Sequence, residues 1–124
     1  MTEFAVPTAG SIPNDIAAGA DGNLWFAENS GNKIGRITTA GTFTEFVLPT
    51  PASNPTGIGP GPDGNLWFTE GSAGKIGRIT PSGVISEFLT PTGNSLPQGI
   101  TPGPDGNLWF AEASPNNKIG RITP

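Results

Sequence analysis

One internal period governs this chain. Asp-Gly-Asn-Leu-Trp-Phe begins at Asp21, Asp63 and Asp105, and Glu-Phe recurs at Glu3-Phe4, Glu45-Phe46 and Glu87-Phe88, always 42 residues apart. Lys-Ile-Gly-Arg-Ile-Thr starts at Lys33, Lys75 and Lys118, the last interval being 43 because the loop Ala113-Ser114-Pro115-Asn116-Asn117 carries one extra residue. A fixed period of this length describes a supersecondary unit that buries its apolar surface by stacking on its neighbours.

Within each period the apolar runs are short, rich in β-branched and aromatic residues, and separated by Gly, Pro, Asn and Asp, which predicts four strands and tight turns. The inner strand centres on Ile16, Ile58 and Ile100. Its prolines, such as Pro60 and Pro102, confine it to a sheet edge, where a missing backbone donor is tolerated. Asp21-Gly22, Asp63-Gly64 and Asp105-Gly106 predict a hairpin into the second strand, with positive φ at the turn residues. In Leu24-Trp25-Phe26-Ala27-Glu28, alternate residues point to opposite faces and both faces are apolar, so the sheet needs cover on each side. Stacking blade on blade around an axis supplies that cover, giving an all-β, β-propeller chain of three blades with four antiparallel strands each. The third strand is Ile34–Thr38 and its copies. The fourth holds Glu45-Phe46-Val47, with Phe46 turned inward and Glu45 outward on a charged edge.

The repeat phase sets expected boundaries: blade 1 at about residues 9–46, blade 2 at about 47–88 and blade 3 at about 89–124. Intervals of 42, 42 and 43 residues describe 127 repeat positions, three more than the chain holds. Strand four is missing after Thr123-Pro124, whereas residues 1–8 resemble one. Three blades are fewer than the usual four to eight of a closed ring. The expectation is therefore that this N-terminal strand completes the last blade of a neighbouring copy, in a six-bladed homodimer or a nine-bladed homotrimer. If each open face exposes roughly 400 Å² of apolar surface, covering it is worth about 10 kcal/mol before association costs.

Gly61–Glu70, Lys75–Pro81 and Glu87-Phe88 resemble the blades of the virginiamycin B lyase (streptogramin lyase) family almost letter for letter, and the resemblance extends over all 124 residues. It implies a propeller, seven-bladed in that family. It also implies a magnesium-dependent elimination that uses a histidine for proton transfer and glutamates near the metal. This chain has no His, no Cys and no Tyr. That composition removes the commonest general base, the phenolic acid, and all thiolate and disulfide chemistry.

The net charge of −4, with six basic residues spread along the chain, excludes the clustered positive face that nucleic acid requires. No apolar run approaches the roughly 18 residues of a membrane span, and the N-terminus lacks the basic and apolar segments of a signal peptide, so a soluble chain of unassigned location is expected.

Nine of the ten acids and all six basic residues fall on repeat positions, whereas chemistry on a repeat scaffold normally breaks the symmetry. The principal reading is a non-catalytic, self-assembling scaffold with no required cofactor. The alternatives are a binding module for a metal ion or a polar or glycan ligand on the loop face, and a residual magnesium-dependent streptogramin B lyase. Glu28, Glu70 and Glu112 are the candidate metal ligands, as a carboxylate ring for Mg²⁺ or Ca²⁺. The competing reading pairs each with Lys33, Lys75 or Lys118 across the hairpin. Arg36, Arg78 and Arg121 suit either an anion site or ion pairs between blades. Asp15, where the other repeats have Gly57 and Gly99, and Asn32, Asn54 and Asn116 in polar loops are candidate ligand contacts. Trp25, Trp67 and Trp109 are expected in the core.

Overall fold

The structure, a computed structural model, describes residues 1–113 and 115–124. Ser114, part of one polar loop singled out above, lies outside the described residues. Among the described residues every regular element is a strand. β1 (Pro13–Ala18), β2 (Leu24–Glu28), β3 (Lys33–Ile37) and β4 (Phe43–Val47) form one antiparallel sheet in that order. β5 (Pro55–Pro60), β6 (Leu66–Glu70), β7 (Lys75–Ile79) and β8 (Ile85–Leu89) form the second. β9 (Pro97–Pro102), β10 (Leu108–Glu112) and β11 (Lys118–Ile122) form the third, which has three strands. Among the described residues no helix is long and apolar enough to cross a membrane.

The Asp-Gly turns form as the sequence predicts, with one difference. Positive φ falls on Gly22, Gly64 and Gly106 alone, at 80°, 81° and 78°. The aspartates act through their side chains instead. Asp21 accepts bonds from the backbone NH and amide of Asn23 (3.2 and 2.8 Å) and from the Trp25 indole NH (3.1 Å), and Asp63 and Asp105 repeat the arrangement. A five-residue loop built on one turn needs only one left-handed residue, and the carboxylate locks that loop to the tryptophan of the next strand.

The sheets stack face to face. Trp25, Ala27 and Ile34 of the first pack on Ile58, Leu66, Phe68 and Ile79 of the second. Trp67 and Ile76 of the second pack in the same way on Ile100, Leu108 and Phe110 of the third. The glycine of each Lys-Ile-Gly-Arg-Ile run makes room for the phenylalanine opposite it in the same sheet, because a methyl group on Gly35, Gly77 or Gly120 would run into the ring of Phe26, Phe68 or Phe110. The outer strands join the joints through Phe46, which stacks on Trp25 at 5.6 Å, and Phe88, which stacks on Trp67 at 5.9 Å.

Candidate functional site

The side chains with the most unusual environment lie at the ends of β2 and β6. Glu28 and Glu70 are fully buried, and among the described residues no hydrogen bond reaches either oxygen of either carboxyl group. The register sets Glu28 opposite Lys33 and Glu70 opposite Lys75. The lysines nevertheless pair elsewhere, which corrects the hairpin pairing expected from sequence. Lys33 Nζ lies 3.0 Å from Glu45 and 2.7 Å from the Thr8 hydroxyl; Lys75 Nζ lies 2.9 Å from Glu87 and 2.6 Å from that of Thr50. Thr8 and Thr50 donate both backbone NH and hydroxyl to Glu45 and Glu87. Glu45 and Glu87 are therefore not the outward-facing edge charges expected. They are largely buried, because the segment entering each blade crosses over them and supplies their donors.

These contacts divide the acids into two kinds. Hydrogen bonds from threonine and lysine outweigh desolvation at Glu45 and Glu87 and hold their carboxyls below the ordinary value. Burial, followed by repulsion from Glu45 or Glu87, pushes Glu28 and Glu70 up to about 7. Ser53 lies beside Glu70, but its hydroxyl donates to Asn32 at 2.8 Å and so leaves Glu70 without a donor. Glu112 is also buried, beside the β11 edge where the third sheet has no fourth strand.

Glu28, Glu70 and Glu112 do not form the carboxylate ring considered above. Among the described residues no three acidic side chains come together as a metal would require. Glu28 and Glu70 each face a single further carboxylate whose charge a lysine already balances.

The arginines are held by rings and carbonyls. The Arg36 guanidinium lies 5.5 Å from the Trp25 ring and 5.6 Å from that of Phe46, and donates to the Pro81 carbonyl of the next blade at 3.0 Å. Arg78 lies 5.7 Å from both Trp67 and Phe88. Among the described residues, Arg121 is the one arginine in an ion pair, with Asp105 of its own blade at 3.7 Å. The polar loop candidates are occupied as staples. Asn32 donates to the Thr50 carbonyl at 2.9 Å and accepts from Ser53, Asn54 donates to Asn29 at 3.3 Å, and Asn116 donates to the Asn94 carbonyl at 2.7 Å. Asp15 clamps two inner strands, accepting from its neighbour Ile16 NH at 2.9 Å and from Ile58 NH of blade 2 at 3.0 Å.

Sequence reasoning missed Thr8, Thr50 and Thr92, and also Ser11, Ser53 and Ser95. The signal was present, since each set recurs at 42 residues. Thr92 receives Lys118 Nζ at 2.9 Å, so the third copy of the threonine and lysine arrangement is in place without its carboxylate.

The family model for virginiamycin B lyases matches residues 1–124. The chain belongs to the virginiamycin B lyase family. Virginiamycin B lyase from Bacillus licheniformis is 51% identical over 41 residues, a stretch covering 33% of this chain and 14% of that protein. The crystal structure of virginiamycin B lyase from Staphylococcus aureus superimposes with a TM-score of 0.88 at 47% identity, covering 99% of this chain and 45% of that one. A catalytically inactive histidine-to-alanine variant of the S. aureus protein, solved with quinupristin, gives the same TM-score at 48% identity over 98% of this chain and 44% of that one. The chain thus spans less than half the length of these lyases, and its fold is a streptogramin lyase-like propeller segment.

Proposed function

We propose that this chain is a non-catalytic propeller scaffold that closes its ring with further copies of itself, the N-terminal segment of one copy completing the last blade of another. The observation that carries this reading is the complementarity of the two end faces. Blade 1 presents Ile16 at 59% exposure, where its counterparts Ile58 and Ile100 are at 4% and 8%. Blade 3 presents Ile119 at 69%, where Ile34 and Ile76 are at 0% and 1%. These are the two halves of the joint that is closed twice inside the chain. Head-to-tail contacts of this kind make rings when the rotation closes, and six-bladed and nine-bladed assemblies both satisfy the count.

The lyase reading has less support. Replacing a histidine inactivates the S. aureus relative, and these 124 residues contain none. The raised acids Glu28 and Glu70 are fully buried, away from any surface a substrate could reach. Native mass spectrometry at micromolar concentration, with a streptogramin B turnover assay containing Mg²⁺, tests the proposal. The expected result is an assembly of two or three chains and no turnover. A folded monomer would overturn self-assembly, and turnover would overturn the non-catalytic role.

A further inference from the structure

The internal joints supply a template for what is unmet at β11. In blade 1, Phe46 and Arg36 sandwich with Trp25 while Lys33 binds Glu45 and Thr8; in blade 2, Phe88, Arg78 and Trp67 repeat the first cluster, and Lys75, Glu87 and Thr50 the second. In blade 3, Arg121 already lies over Trp109 at 5.6 Å and Lys118 already reaches Thr92. Among the described residues, no stacked aromatic ring and no carboxylate completes either cluster. Among the described residues no strand pairs with the outer edge of β11.

The missing groups exist at the other end of the chain, in the right order and nearly in the right pose. Glu3-Phe4 repeats Glu45-Phe46 at the 42-residue period. Phe4 covers Gly41 as Phe46 covers Gly83, so closely that a methyl group on either glycine would strike the ring. Thr8 binds Glu45 and Lys33 as Thr50 binds Glu87 and Lys75. Residues 4–8 therefore hold the position of an outer strand leading into the next blade, without the sheet to which such a strand belongs. Behind Phe4 and Val6 opens an apolar cleft of about 560 Å³ walled by Ile16, Leu24 and Phe26. The same wall in blade 2, made by Ile58, Leu66 and Phe68, receives Trp25, Ala27 and Ile34.

The geometry points to a specific register for the joint between copies: Glu3–Ala5 of one molecule pair antiparallel with Lys118–Gly120 of a second, Glu3 opposite Gly120 and Phe4 opposite Ile119. The register follows from Gly35 facing Glu45 and Ile34 facing Phe46 in blade 1. Glu3 then joins Lys118 and Thr92 of the second copy, Phe4 stacks on its Trp109 beneath Arg121, and its Ile119 enters the cleft. This inference rests on the self-assembly proposed above and adds the residues that set its register.

Charge reversal tests it, because Glu3 and Lys118 are both exposed in the single chain and their replacement leaves the blades intact. Glu3→Lys and Lys118→Glu are each expected to weaken assembly of the full chain about tenfold or more, through like charges placed together at the joint. The combined Glu3→Lys/Lys118→Glu chain is expected to recover most of the loss, read by native mass spectrometry across a dilution series, with circular dichroism confirming the fold of each variant. If the unaltered chain assembles and all three variants assemble equally well, the register is overturned while self-assembly stands. If the unaltered chain is a folded monomer, self-assembly and the register both fail.

Discussion

The chain contains the same joint in two conditions, closed between neighbouring blades and open at its two ends. In the closed joints Leu66 and Leu108 are sealed at 0% exposure, whereas Leu24, their counterpart on the open face of blade 1, is at 37%. The residues are the same, so the difference lies in the neighbour alone. A blade's sequence specifies two apolar faces whether or not a partner is present, and a propeller blade is a stable unit only in a stack.

The largest expected effect separates the two conditions by truncating equivalent tryptophans. Trp67→Ala empties a closed joint and should cost about 3–5 kcal/mol of stability in urea denaturation. Trp109→Ala, on the open face, should cost much less in dilute chain and should reach the Trp67→Ala value only where copies assemble. Equal losses in dilute chain would break the comparison.

The buried acids give the next effect, and their sign is opposite to that of a salt-bridged carboxylate. Glu28 and Glu70 titrate near 7 when folded and near 4.3 when unfolded. The folded state therefore binds more protons between those values, and stability falls as pH rises from about 4.3 to 7. Glu70→Gln should stabilise the chain by roughly 3–4 kcal/mol at pH 8 and have little effect near pH 4. A pH-independent effect of Glu70→Gln would contradict the burial argument. Glu45 and Glu87 act in the other direction, since their lowered values place their contribution above the ordinary carboxylate range and remove it in acid.

A smaller effect should come from the half-buried ion pairs. Lys75→Met leaves Glu87 with Thr50 alone and should destabilise by about 1 kcal/mol in thermal melts, reduced by added salt. Lys118→Met should change the dilute chain by less still, because only Thr92 is lost.

Much of this architecture was legible in the sequence. Period-two alternation around Trp25, Trp67 and Trp109 identified the two-faced strands, and Asp-Gly located each hairpin. The polar chemistry was less legible. Cross-strand register alone puts Lys33 opposite Glu28, but the lysine stem reaches along the sheet to Glu45, drawn by a second acceptor on Thr8 from a segment 25 residues away in sequence. Asn32 looks like a ligand contact because its loop is polar, and Asp15 because it stands where the other repeats have Gly57 and Gly99. Their amides and oxygens are taken by neighbouring backbone, a competition that composition does not reveal.

Hydrogen exchange along β11 tests most directly whether the open ends are the closed joint awaiting a partner. At concentrations where copies assemble, the outer-edge amides of Lys118–Ile122 should be protected like those of Lys33–Ile37 and Lys75–Ile79, and dilution should remove that protection from β11 and its Glu3–Ala5 partner while β3 and β7 keep theirs. Exchange of β11 as a bare edge at every concentration, with β3 and β7 protected throughout, would contradict the account.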